Sequence, residues 1–254
     1  MIGDAAALLG VAQEVLWAGV AVFLRVAAMA GVFPVFGEQS VPLRLRLAIA
    51  LALTLVVLPA VPLAGGAPGL AALVGEPLVG LFFGLFLRLI VMALQIAGTI
   101  AAQSTSLSQI FGASAGIEPL PAMGHFLVVA GLALAALLDL HVRAAAYILL
   151  TYELAPVSTV PAAALVAEVG VAEVGRAFRF GFALAAPFLV ASLLYNITLG
   201  VINRAMPQLM VAFVGAPAIT AGGLALLAIS APIMLAAWSD RLLDFLAAPF
   251  GALP

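Results

Sequence analysis

Gly112-Ala113-Ser114-Ala115-Gly116 matches the G-x-S-x-G pattern of a serine nucleophile, and Asp139 and His141 follow it in the order used by α/β-hydrolases. Such a serine needs a strand before it, a helix after it and a histidine within hydrogen-bond reach. The residues ahead of Gly112 read as helix. Asp139 and His141 are two apart on a helical segment, about 200° around its axis, so both cannot turn to one serine. His125 and His141 lack the carboxylate or cysteine spacing of a metal site. The pentapeptide is what a chain rich in Gly, Ala and Ser produces by chance, and we expect no enzymatic activity, no metal and no cofactor.

The chemistry that does stand out lies in Ile90 to Pro121. This stretch is apolar up to Ala102 apart from Gln95 and Thr99, then turns to Gln103, Ser104, Thr105, Ser106, Ser108 and Gln109. Ile110, Phe111 and the small-residue run Gly112 to Gly116 follow, and no charge appears between Arg88 and Glu118. A soluble loop normally carries charge, and a lipid-facing helix does not carry hydroxyls and amides in a row. Uncharged polar groups suit a surface that is buried in protein or faces a water-filled lumen, the places where irregular backbone is tolerated at membrane depth. The stretch reads as a pore or cavity element, against the simpler reading of a short interhelical loop.

The elements that must hold it are membrane helices. The chain has 254 residues, 66% hydrophobic and 8% charged, and its mean hydropathy is +1.32. Soluble domains carry about 25% charged residues. The long Leu- and Ala-rich runs favour a helical bundle over a barrel. All nine basic residues are Arg and the net charge is −2, so nothing points to nucleic acid. There is no cysteine. The start carries an acidic residue and no basic one, so the first helix is expected to be retained and not cleaved as a signal.

In order, Ala5 to Phe36 is the first helical region, with Glu14 and Arg25 three turns apart on one face and too distant to pair. Phe33 to Gly37 breaks it. Arg44 and Arg46 mark a loop that the positive-inside rule places in the cytoplasm. Leu47 to Leu63 is a second span, ended by prolines and the turn Gly65 to Gly69. Glu76 opens the third, where Gly80 and Gly84 form a GxxxG pattern that lets another helix approach closely, with Arg88 one turn on. Met123 to Leu150 reads as one helix in which Asp139 and Arg143, at i and i+4, pair. Glu153 to Ala172 is a moderately polar connection with Pro156 and Pro161, with room for a short amphipathic helix. Phe180 to Ile202 is a span, Asn203 to Gln208 a turn, and Leu209 to Trp238 an uncharged run longer than one span needs. The count is five or six hydrophobic helical regions, tilted or broken. Composition and spacing leave a secondary transporter, with Arg88, Asp139 or Glu14 coupling ions, level with a channel or translocon part.

Three blocks, taken together, resemble the FliR family (FliR/SctT), the export-gate subunit of flagellar and related type III secretion systems. The first is Arg25 through Pro34-Val35-Phe36-Gly37 to Val41-Pro42, Arg44 and Arg46. The second is Glu76-x3-Gly80-x3-Gly84 continuing to Gln103, Pro121, Asp139 and His141. The third is Asn196-x3-Gly200-x3-Arg204-x2-Pro207-Gln208-Leu209 with Phe213, Gly215 and Pro217. The chain departs from the family's pattern near Gly112-Ala113, at Leu140 and at Met210.

The resemblance implies an all-α membrane protein in which residues 1–171 form a FliP-like part and residues 172–254 a FliQ-like helical hairpin. It implies a plug loop in the closed channel, drawing on Gln103, Ser104, Thr105, Ser106, Ser108, Gln109, Ile110, Phe111, Gly112, Ser114 and Gly116. Subunit contacts would involve Gly80, Gly84, Arg88, Asn196, Gly200, Arg204, Pro207 and Gln208. Expected partners are FliP-like, FliQ-like, FlhB-like and FlhA-like subunits, unfolded export substrates and membrane lipid. The expected location is the bacterial inner membrane at the flagellar basal body. An injectisome subunit of the same family is the alternative, and a secondary transporter the more distant one.

Overall fold

The computed structural model describes residues 2–61, 70–105, 122–206 and 211–249. Among these there are seven α-helices, one short 3-10 turn and no strand. They are α1 (Ile2–Ala30), α2 (Leu43–Val57), α3 (Leu70–Ser104), α4 (Ala122–Leu137), α5 (Leu140–Leu154), α6 (Ala163–Ala205) and α7 (Val211–Ala247), with the 3-10 turn Leu58–Ala60 after α2. Five are long and apolar enough to cross a membrane, or six if α4 and α5 count as one broken span, which agrees with the number read from hydropathy.

The chain divides into two compact units, and all four boundaries fall within helices: α3 passes from one unit to the other after Arg88, α4 after Leu134, α6 after Glu173 and α7 after Leu242. The first unit holds α1, α2, the start of α3, α5, the first turns of α6 and the end of α7. Its core is Val26, Met29, Phe33, Val79, Leu87, Leu140 and Ile148, all buried. Tyr147 is its aromatic centre, with ring centroids of Phe33, Phe83 and Phe245 at 6.4, 6.4 and 6.1 Å. The Tyr147 hydroxyl donates to the Phe83 carbonyl at 3.1 Å. The polar tip of a buried tyrosine usually finds a partner, and that of Tyr147 does.

The second unit holds the end of α3, most of α4, most of α6 and most of α7. Trp238 on α7 is fully buried and its indole N–H donates to the Ile90 carbonyl of α3 at 2.8 Å. Glycine lets α3 and α4 nearly touch: a Cβ on Gly98 would lie 2.2 Å from the Gly124 Cα. Without a hydrophobic force between helices in lipid, such small-residue contacts supply the packing.

Two expectations fail. Met123 to Leu150 is not one helix. It breaks at Leu138–Asp139, where Asp139 adopts the left-handed conformation (φ 56, ψ 40) as the residue before α5. Asp139 therefore does not pair with Arg143, whose Nε donates instead to the Leu138 carbonyl at 3.2 Å. The polar connection 153–172 is also shorter than expected. Only residues 155–162 separate α5 from α6, and α6 runs 43 residues without interruption. That is about 65 Å of helix, twice the ~30 Å hydrocarbon core. Charged residues such as Glu168 look like a loop in hydropathy, but no proline stands between Pro161 and Pro187, and the helix runs through Gly170, Gly175 and Gly181. In α7, Pro217 and Pro232 lie inside a continuous helix of 37 residues.

Exposure separates the long helices. Of the apolar window of α3, 56% is buried within the chain, but of that of α6 only 17%. Thus α3 is the helix the others pack on, while α6 turns bare apolar flanks to lipid or to other chains.

Candidate functional site

One face of α3 organises the first unit. Glu76, Gly80, Gly84 and Arg88 recur every four residues, so they form one stripe along the helix. At its first position the Glu76 Oε2 accepts from the Arg25 Nε at 2.6 Å, with both side chains buried. A Cβ on Gly80 would lie 2.2 Å from the Arg25 carbonyl oxygen, and one on Gly84 2.4 Å from the Val32 side chain and 3.1 Å from the Met29 carbonyl. At the last position Arg88 Nη1 donates to Glu38 Oε1. The close approach expected of GxxxG occurs, and its partner is α1 of the same chain. Two ion pairs bracket it, with the signs exchanged between the two ends.

Arg25 does more than neutralise Glu76. Its Nη1 donates to the carbonyls of Ala155, at 2.7 Å, and Thr151, at 3.2 Å. These end α5, where a cation is favoured by the helix dipole; the Thr151 carbonyl accepts there from the Ala155 N–H as well, at 2.9 Å. The Tyr152 ring covers the guanidinium, 3.9 Å from Cζ to the ring centroid. Glu76 uses its second oxygen on the linker, Oε1 accepting from the Ser158 N–H at 2.8 Å. Ser158 itself is held at φ 66. This one ion pair therefore ties α1, α3, α5 and the linker into α6 together. An Arg on an apolar helix needs such partners, since charges at membrane depth face protein or water. Sequence reasoning compared Arg25 with Glu14, which is exposed, and missed Glu76, 51 residues away.

The loop 31–42 is built to receive the other pair. Val35 sits at φ 70 in a tight turn, with the Phe36 N–H donating to the Pro34 carbonyl at 2.9 Å. A β-branched residue is rarely found there. Arg46 closes the loop, donating from Nη2 to the Glu38 carbonyl at 2.7 Å and from Nε to the Val41 carbonyl at 3.0 Å.

The polar end of α3 lies in the second unit. Gln103 is exposed. Ser104 and Thr105 turn their hydroxyls back to the Ala101 carbonyl, at 2.9 and 3.0 Å. Thr105 is buried, and a Cβ on Gly223 of α7 would lie 2.2 Å from its methyl carbon. Ser106, Ser108, Gln109, Ile110, Phe111, Gly112, Ser114 and Gly116 lie outside the described residues, as do Pro207 and Gln208.

The end of α6 is bare. Asn196 donates its amide to the Ser192 carbonyl at 2.9 Å. Gly200 has open space where a Cβ would be. Arg204 is exposed in the last turn. The exposed apolar side chains Leu193, Leu194, Ile197 and Val201 surround them. Asn196, Gly200 and Arg204 are thus brought to one exposed helix end, and Gly80, Gly84 and Arg88 to a face turned on α1.

The helices and this arrangement define an all-α integral membrane protein, with an uncharged polar element at the end of its central helix. Its family follows from comparison: the chain belongs to the bacterial export proteins, family 1, whose model matches residues 16–245, the family of the flagellar biosynthetic protein FliR. It is 34% identical over 232 residues to the flagellar biosynthetic protein FliR of Caulobacter vibrioides, covering 89% of this chain and 92% of that one. The FliR proteins of Aquifex aeolicus and Escherichia coli are 28% and 27% identical, over 88% and 83% of this chain and the same shares of their own lengths.

Proposed function

We propose that this protein is a structural, channel-forming subunit of the flagellar type III protein export gate, sited in the bacterial inner membrane, through which unfolded flagellar proteins pass. The observation that carries it is the family match over residues 16–245. The relatives compared bear flagellar names, which favours this gate over an injectisome or a transporter. The partners are FliP-like and FliQ-like subunits, with FlhB-like and FlhA-like subunits in the same apparatus. In this reading residues 1–171 are the FliP-like part and residues 172–254 the FliQ-like hairpin, whose bare α6 flank is the surface that other subunits cover. Purification from membranes in mild detergent tests it. A complex with the FliP-like and FliQ-like subunits is expected, and a lone monomer or homodimer overturns it.

Two variants test the finer roles. Residues Gln103 to Gly116 act as the plug, with Ile110 and Phe111 as its only bulky apolar pair. Complete burial of two such side chains is worth about 1.5–3 kcal/mol each, small enough for a passing chain to displace. Deleting Ile110 to Gly116 should leave assembly intact and raise ion leak across the inner membrane, read as conductance or sensitivity to small toxic solutes. A tight, fully export-competent deletion mutant returns the stretch to an interhelical loop. Arg204→Ala should lower the yield of assembled complex about fivefold, the scale of one interhelical polar contact, with membrane insertion unchanged. Full assembly would remove Arg204 from the interface.

A further inference from the structure

The linker between α5 and α6 holds a strained turn against the buried ion pair of the first unit. Pro156 to Thr159 form a β-turn: the Thr159 N–H donates to the Pro156 carbonyl at 3.0 Å, and the Thr159 hydroxyl to the same carbonyl at 2.6 Å. Ser158, the third residue of the turn, has φ 66, while Val157 before it has negative φ. This is the type II pattern, whose third position favours glycine because its φ is positive. A serine there is strained, and the same four residues fit the commoner type I turn without strain. The two turns differ by a half-rotation of the central peptide, here Val157–Ser158, which reverses the direction of the Ser158 N–H.

In the type II turn that N–H donates to Glu76 Oε1 at 2.8 Å. Little else holds the strap down. Val160 rests on Gly75, but Pro156, Ser158, Thr159 and Val160 are all exposed, and segments with little buried apolar surface open easily. The bond also leaves Arg25 short of a partner. A carboxylate beside a guanidinium commonly takes two parallel N–H groups, and Arg25 offers Nε and Nη2 side by side. Glu76 Oε2 takes Nε at 2.6 Å. Its Oε1 is turned to Ser158, and Arg25 Nη2 is buried with no hydrogen-bond partner. Nη2 and the Ser158 N–H thus compete for one oxygen.

We infer that the Val157–Ser158 peptide is a two-state switch in which the Ser158 N–H and Arg25 Nη2 exchange places on Glu76 Oε1. In the state described above, the N–H holds the oxygen and the strap lies on α3. In the other, the peptide is flipped, Ser158 has negative φ, and Oε1 joins Nη2 to complete a two-bond ion pair. The flip also turns the Val157 carbonyl toward the Glu76 carboxylate, and repulsion between these oxygens lifts the strap. The first state strains Ser158 and orphans Nη2; the second gives up the strap's bond to a carboxylate. These terms offset one another, so both states are populated. With the strap lifted, the first turns of α6 gain a joint at the end of α5, while the ion pair of α1 and α3 stays made.

Hydrogen exchange and NMR on the detergent-solubilised full chain test this. Ser158 is exposed, so its variants should fold. After correction for intrinsic rates, Ser158→Gly should slow exchange of the residue 158 amide about fivefold, because glycine accepts positive φ without strain. Ordinary loosening of a loop by glycine has the opposite sign. Ser158→Val should speed exchange by a similar factor, because a β-branched residue resists that φ. In both variants the Val166 N–H of α6, bonded to the Ala162 carbonyl at 3.0 Å, should keep its protection, since a joint moves a helix whole. The guanidinium nitrogen signals of Arg25 should shift in opposite directions in the two variants, as Nη2 loses or gains Glu76. Exchange that is unchanged or faster in Ser158→Gly overturns the switch, as do Arg25 signals that do not respond. Loss of protection at Val166 together with residue 158 also overturns it, by showing that the end of α6 simply frays.

Discussion

Glu76→Ala is expected to destabilise the isolated protein by about 3–5 kcal/mol, because removing one partner leaves a buried charge uncompensated. Here the uncompensated group is Arg25, fully buried among α1, α3 and α5. The loss also frees the Ser158 N–H that Glu76 holds, so the linker into α6 loosens. Glu76→Gln keeps the shape and one acceptor but not the charge, and should fall between wild type and Ala. Arg25→Lys should do nearly as badly as Ala, because an ammonium cannot reach a carboxylate and two carbonyls in the fixed fork of a guanidinium. The double replacement Arg25→Met with Glu76→Leu should recover much of the loss, as apolar substitutes for buried ion pairs often do. Thermal unfolding of the detergent-solubilised single chain measures this. Single variants as stable as wild type would show that the pair is not what holds these elements together.

The same pair shows what the sequence made legible. That Arg25 and Glu76 stand inside apolar segments was readable, and so was the rule that such charges face protein. Which carboxylate faces which guanidinium was not, because it depends on how α1 crosses α3, and periodicity within a helix carries no information about its neighbour. Proximity in the chain pointed to Glu14, three turns from Arg25 and exposed. The spacing Glu76-x3-Gly80-x3-Gly84-x3-Arg88 was on view, but its partner could not be: GxxxG says that a backbone comes close, not whose. Arg88 with Glu38 repeats the lesson at the other end of the stripe.

The helix count was legible because composition dominates it. The helix ends were less so. No glycine or proline marks the break at Leu138–Asp139, and although Asp is several-fold enriched among non-glycine residues in the left-handed region, a single Asp in an apolar run does not signal a break. The first turns of α6 were read as a connection because hydropathy responds to charge, whereas the helix needs only an unbroken backbone. Gln95 and Thr99 were visible as the two polar residues in an apolar run, but the groove they line was not, because the Phe178 and Phe182 rings that also line it come from α6, more than 70 residues on.

Gly80→Ala is expected to be among the most damaging single-methyl changes at the described glycines. Its new Cβ would lie 2.2 Å from the Arg25 carbonyl oxygen, 3.0 Å from the Arg25 carbonyl carbon and 3.1 Å from its Cα. All three are backbone atoms, so no rotamer change relieves the contact. The helices must separate by about 1 Å to approach the 3.4 Å of ordinary contact, and overpacking of this kind costs about 1–3 kcal/mol. Gly84→Ala meets first the Val32 side chain, which can give, and should cost less; Gly84→Leu should cost more than either. Gly200→Ala and Gly222→Ala meet nothing within 4 Å. In the free chain they should be neutral or stabilising by up to about 1 kcal/mol through helix propensity. This ordering separates two roles a glycine can have. Gly80 and Gly84 pack α1 on α3, so their variants should weaken the isolated chain, and assembly only as a consequence. Gly200 lies on the bare end of α6, so Gly200→Leu should leave the isolated chain folded and lower assembly directly. Moving α1 also draws Arg25 off Glu76, one turn away on α3, so Gly80→Ala and Glu76→Ala should be less than additive in a double-mutant cycle. Strict additivity, or a Gly80→Ala chain that unfolds at the wild-type temperature, would show that α1 and α3 do not cross at this point.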